Sequence, residues 1–308
     1  MQHRSLSGGI LLLLAATLSW GGMFPIAKPA LAVIDPYYLT LIRYLLAAII
    51  FFIVLSIVEG KLSLGFEGKF LTLLLLSTLG FSGFNLLAFN GLMHSKPEHG
   101  AVIIAMMPMI TVLLNWLIHS QRPASFTMFT ILTAFFGVFL VVTAGDPVNA
   151  FSGGKLLWDF LFLAGAFCWV AYTMGASAFP NWSSLRYTSL SSILGALSLS
   201  IITLFLTAID YISVPSIDLL VSLHWTIFYL VVMGALVAVL SWNIGIKLLG
   251  AVNGVLFINF VPITAFAIGI IQGKEFNAAE LTGAACVIGS LIANNLFLRK
   301  QQKFNNAA

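Results

Sequence analysis

The side chains in this sequence best able to hold a small molecule are aromatic rings and amides set inside apolar runs. Trp20 and Trp169 stand within two such runs, and Tyr172 follows Trp169 by about one helical turn. Phe84-Asn85 and Trp242-Asn243 each pair a ring with an amide, and Asn259 lies about one turn before Pro262. The matching place before Pro108 holds Ala105, with Met106 and Met107 between. Rings, a pliable thioether and a few amides make an uncharged cavity suited to a small polar solute with an apolar side chain. A plainer reading stands beside this one. An Asn in an apolar helix commonly bridges neighbouring helices, and a Trp can simply pack or sit at an interface.

Charged chemistry is sparse. Arg43 is the one charge clearly embedded, about two turns into its apolar run. It is expected to snorkel outward or to pair with Asp35; a solute carboxylate is the alternative partner. Asp159 and Glu280 fall near helix starts, where the positive end of the helix dipole suits them, and are expected at the surface. His94, His99, His119 and His224 are scattered and read as surface or interfacial groups. No carboxylate sits near the centre of a run, so no carboxylate-based proton relay is expected. No metal-ligand spacing, serine–histidine pairing or phosphate-cradling glycine loop occurs, so neither a catalytic site, a metal nor a cofactor is expected. Gly21-Gly22 before Pro25 reads as a local break in the first helix.

Two stretches must position these groups. Gly100–Pro108 and Gly254–Pro262 are apolar segments opened by a glycine and interrupted by a proline, at corresponding places in the two halves. A proline frees a carbonyl and bends a helix. Of 308 residues, 60% are hydrophobic and 8% charged, and the mean hydropathy is +1.05. Soluble domains average about a quarter charged residues, so the chain is read as an all-α integral membrane protein. Its +4 charge is no sign of nucleic acid. Cys168 and Cys286 lie in apolar runs as packing residues. Arg4 followed by an apolar run resembles a signal peptide, but the run continues past Trp20 and recurs later, so it is read as a structural helix. A span needs about 20 apolar residues, and ten runs qualify: roughly 9–28, 37–58, 70–93, 99–119, 126–144, 157–179, 188–209, 224–247, 252–272 and 279–298.

The runs repeat. Leu14, Ala15, Trp20 and Ala27 align with Leu163, Ala164, Trp169 and Ala176. Beyond an insertion near Ser213–Leu220, Gly80, Gly91, Gly100, Ile104 and Pro108 align with Gly234, Gly245, Gly254, Ile258 and Pro262. The expected units are residues 1–148 and 149–308, with about five spans each. An odd number of spans inserts the halves in opposite directions, giving an inverted repeat around a central cavity. With the N-terminus inside, Arg4, Lys61, Lys69, Arg122, Arg186, Lys247, Arg299, Lys300 and Lys303 face the cytoplasm, against Lys28, Lys96, Lys155 and Lys274 outside. That asymmetry places both termini inside. Matched broken helices in two halves are the sequence mark of a transporter's central site.

Ten spans, the Leu14–Trp20 and Leu163–Trp169 spacing and the glycine-to-proline segments resemble the EamA-type members of the drug/metabolite transporter superfamily, over about residues 8–299. Trp169-Val-Ala-Tyr172 and Ser241-Trp-Asn-Xaa-Gly245 are similar to the bacterial inner-membrane branch that exports amino acids and some toxic cations. The resemblance implies a basket of helices one to four and six to nine around the cavity, braced by helices five and ten. It implies that Trp169, Ala105 and Met107 face the solute. Exporters of aromatic amino acids carry aromatics where this chain has Ala105 and Met107, which implies a roomier site open to aliphatic amino acids. The expected solute contacts are Trp20, Phe84, Asn85, Ala105, Met107, Pro108, Trp169, Tyr172, Trp242, Asn259 and Pro262. The expected activity is export of amino acids and related metabolites by alternating access. Organic cations, or sugar nucleotides and phosphate esters, are the alternative cargo. The expected partners are that cargo and the lipid bilayer. A monomer is expected, although the small-residue stripes Ser192/Ala196/Ser200 and Ala285/Gly289/Ala293 leave an oligomer open.

Overall fold

The computed structural model describes residues 2–120, 122–148, 156–249 and 255–307; Gly254, which opens the second glycine-to-proline segment, and Lys155 lie outside them. The first half contributes α1 (Gln2–Ala30), α2 (Pro36–Val58), α3 (Phe70–His94), α4 (Pro97–Ala105), α5 (Met107–His119) and α6 (Ser125–Thr143). The second contributes α7 (Leu156–Gly175), α8 (Ser184–Ala208), the short α9 (Ile217–Ser222), α10 (His224–Leu249), α11 (Phe260–Ile271) and α12 (Ala278–Ala307). Among the described residues, eight helices are long and apolar enough to span a bilayer, and α4 with α5 makes a ninth, bent by 45°. The tenth is shorter: a 3-10 turn at Val255–Asn259 leads into α11.

Leu45, Ile49, Phe52, Phe129, Phe136, Ile201, Leu204 and Phe205 are exposed. In a chain this apolar, such a surface meets lipid. The helix partnerships follow a two-fold pattern. α2 packs on α8 and α6 on α12, each a repeat element against its own mate, and α4, from the broken span of the first half, packs on α11, from the corresponding span of the second. α1 packs on α10, and the equivalent contact of the exchanged halves, α3 on α7, is also present.

The break in the first half falls at Met106, two residues before the proline. Pro108 has no N–H to offer the Ile104 carbonyl four residues back and its ring crowds that carbonyl, whereas proline suits a helix's first turn. α4 therefore stops at Ala105, and Pro108 sits in the opening turn of α5. Gly21-Gly22 behaves otherwise than expected: α1 runs through both, and through Pro25. The glycines permit close approach. A Cβ on Gly21 would lie 2.8 Å from the Val261 carbonyl, and one on Gly22 would lie 2.3 Å from the Tyr229 hydroxyl.

Two helices carry π-helical turns at matched places, Thr78–Gly83 in α3 and Tyr229–Val237 in α10. Gly80 and Gly234, aligned by the repeat, fall inside them. Such turns free carbonyls from the helical ladder and are frequent at functional sites.

Candidate functional site

A cavity of about 140 Å³ lies at the centre, roughly the volume of five waters in the liquid. Its walls come from both halves: Trp20, Met23, Arg43, Tyr44, Phe84, Met107 and Pro108 from one, and Trp169, Val239, Trp242, Ile258 and Val261 from the other. The aromatic groups touch one another. Trp20 lies edge-on to its repeat mate Trp169 at 6.4 Å between ring centroids, and 5.4 Å from Trp242. Phe84 sits 5.3 Å from Trp169. The bend at Met106 turns Met107 and Pro108 toward this space.

The Trp20 indole donates to the Gly234 carbonyl at 3.2 Å. That carbonyl lies in the π turn of α10 and also accepts from Arg43 Nη2 at 3.2 Å. Arg43 Nη1 donates to Asn85 Oδ1 at 3.1 Å. Asn85 in turn donates its amide to the Phe81 carbonyl at 2.9 Å, which fixes its oxygen toward the guanidinium. Arg43 therefore neither reaches the surface nor pairs with Asp35. It is 2% exposed and lines the cavity, while Asp35 caps α2 through the Tyr37 amide. Burial holds the Asp35 carboxyl above its ordinary value, against the backbone hydrogen bonds from Tyr37 and Tyr38.

Of the residues expected to meet a solute, Trp20, Phe84, Met107, Pro108, Trp169 and Trp242 line the central cavity. Tyr172 lines a neighbouring space of about 160 Å³ toward the Arg186 end, which shares Trp169, Thr173, Val239 and Trp242 with the first. Asn85 stands behind Arg43. Ala105, Asn259 and Pro262 are buried without lining the cavity. Beyond the expected contacts, Met23, Tyr44, Thr111, Thr173, Val239, Ile258 and Val261 also face it. Apolar residues on helices apolar all round give no sequence sign of which side faces inward.

The end bearing Glu98 is built from charge. Glu98 accepts from Lys274 at 2.8 Å, Lys96 donates to Glu280 at 2.7 Å, and His99 Nδ1 lies 3.1 Å from Asp159 Oδ1. Ser95 also donates to Asp159. Lys28 caps three carbonyls, those of Leu92, Met93 and Ser95. Asp159, Glu280 and His99, expected at the surface, are thus buried. Each pair joins one half to the other. A vestibule of about 570 Å³ beside these groups shares no lining residue with the central cavity.

Residues 7–143 and 156–296 match the EamA-like transporter family. The Bacillus subtilis (strain 168) protein named uncharacterized transporter YrdR is 39% identical over 305 residues, 98% of this chain and 95% of that protein. The same strain's YyaM, also named an uncharacterized transporter, is 29% identical over 96% of this chain and 95% of its own. A Salmonella typhimurium protein named uncharacterized inner membrane transporter YicL is 24% identical over 96% of this chain and 97% of its own. A solved crystal structure shares the fold, with a TM-score of 0.66 at 17% identity, covering 96% of this chain and 99% of the other. A multi-pass helical chain with this match, these relatives and a central cavity between its halves belongs to the EamA-like transporter family.

Proposed function

We propose that this transporter exports amino acids and related small metabolites across the inner membrane by alternating access, with residues 1–148 and 149–308 as the two moving units. The observation that carries this reading is the central cavity, apolar and aromatic, walled by both halves and sized for a small solute. Rings and Met107 accept an aliphatic or aromatic side chain, and the ring faces suit an ammonium group. Trp20, Phe84, Met107, Pro108, Trp169 and Trp242 are the proposed solute contacts, with Tyr172 on the path toward the Arg186 end.

The Arg186 end is the proposed cytoplasmic face, as are both termini, in keeping with the excess of lysine and arginine in its loops. The cavity continues toward that end and stops short of the ion pairs at the other. This arrangement fits an inward-facing state, in which cross-half pairs hold the far side shut while the halves rock between states. Counterflow of labelled amino acids in proteoliposomes tests the reading. Saturable exchange of one or more is expected; no saturable flux for any of the twenty would sink it.

A further inference from the structure

We propose that the Arg43 guanidinium is an anion site of the central cavity, and that the cargo therefore carries a carboxylate. This deepens the proposed function and rests on the central cavity being where cargo binds. Among the described residues, the buried charged or ionisable polar side chains are Arg43, Glu98, His99, Asp159 and Glu280. Glu98, His99, Asp159 and Glu280 each face an opposite or hydrogen-bonding partner across the halves. Arg43 has none: its two bonded nitrogens meet neutral oxygens, those of Asn85 and Gly234. Its Nε–H is buried without a partner. Its remaining company is aromatic, with the guanidinium carbon 4.8 Å from the Tyr44 ring and 5.9 Å from that of Phe89.

An uncompensated charge inside a membrane protein is costly, and such residues mark ligand or ion pathways. Here the missing counter-charge has a place to sit, because Arg43 is on the cavity wall. The surroundings also hold the cation in position. Asn85 is locked as an acceptor by its own bond to Phe81, and the Gly234 carbonyl lies within the π turn of α10. The lining threonines offer no rival donor, since Thr111 and Thr173 donate to the carbonyls of Met107 and Trp169.

The chemistry of the anion follows from number and shape. A guanidinium matches a carboxylate with paired, parallel hydrogen bonds. No other lining residue is charged. One fixed positive charge balances a monoanionic carboxylate and leaves a phosphate dianion half-neutralised in an apolar chamber. The rest of the cargo would lie against Trp20, Trp169 and Met107. Cations lacking an acid group would face Arg43 unscreened and are excluded.

The test uses the purified full-length chain and the fluorescence of its cavity tryptophans. The probes are aliphatic amino acids, their amides, their decarboxylated amines, and the matching 2-keto acids. In the wild type, acids are expected to bind at least about tenfold more tightly than the corresponding amides or amines. In Arg43→Gln the acid-to-amide ratio should fall to about one, whereas Arg43→Lys should keep part of the preference. A purely structural role would weaken acid and amide alike and leave their ratio unchanged. Binding of keto acids without amino acids would refute amino-acid cargo and still support the anion site. Equal binding of acids and amides by the wild type, preserved discrimination in Arg43→Gln, or absence of carboxylate binding would each overturn the inference.

Discussion

The Glu98 end and the central cavity handle buried charge in opposite ways. At the Glu98 end, Glu98, Asp159 and Glu280 each find a partner on the other half. In the cavity a single guanidinium is offered only neutral oxygens and ring faces. Internal pairing spends a charge on holding two moving parts together, and such a bond must break when they separate. An unpaired charge is available to something that comes and goes. On the proposed reading, the first region serves conformational control and the second cargo.

Breaking the charged end gives the largest expected effect. Lys274→Ala leaves the Glu98 carboxylate unpaired in a nearly dry position, and stranding the buried member of such a pair costs about 3–5 kcal/mol. Thermal unfolding in detergent should show a large loss of stability, and exchanging the two charges in a double variant should recover part of it. Next comes the peripheral brace, where neither kind of charge acts. A Cβ on Gly283 would lie 2.5 Å from the Gly137 carbonyl across the α6–α12 contact. Gly283→Ala should cost about 1–3 kcal/mol through this backbone clash, while tryptophan-quenching affinity stays unchanged. A change in affinity would show that the brace reaches the cavity.

Trp20→Phe is milder. It deletes the indole donor to Gly234 but leaves that carbonyl bonded to Arg43, so about 1 kcal/mol of stability is expected to go. The smallest effect belongs to the Arg186 end. Glu67 accepts from Trp182 and pairs with Arg186 at 2.7 Å, and these bonds, that from Trp182 first, hold its carboxyl below the ordinary 4.5. A depressed carboxyl stabilises the fold above its unfolded value, and the contribution is lost as pH falls through the folded one. Arg186→Ala should therefore lower the melting temperature slightly at neutral pH and by less in acid, where the Glu67 pair no longer contributes while the lost contacts with Gly65 and Trp182 still count. A difference undiminished in acid would assign the whole effect to those contacts.

Much of the frame was legible because it follows from length and pattern. Apolar runs of spanning length, the paired prolines and the order of glycines each have a local cause. What escaped was directional. Arg43 sits on a helix apolar on every side, so its depth was readable and its facing was not. Asp159, Glu280 and His99 read as surface groups because they lie near helix ends, yet those ends are capped by the opposite half. Ala105, Asn259 and Pro262 followed from nearness to a proline. The bend falls ahead of that proline in the first half, so a neighbour in sequence need not be a neighbour of the cavity. Gly21-Gly22 carried a signal with two meanings, flexibility or close contact, and only the packing of Val261 and Tyr229 distinguishes them.

The matched π turns have a consequence for how the sequence can tolerate change. Each wide turn sets the angular phase of everything beyond it along its helix. Restoring ordinary winding by deleting one residue from Tyr229–Val237 would rotate the following segment by about 100° and draw it back by about 1.5 Å. Trp242 would then swing away from Trp20, although no cavity side chain had been replaced. Single-residue deletions in this short interval should thus be far more damaging than substitutions there.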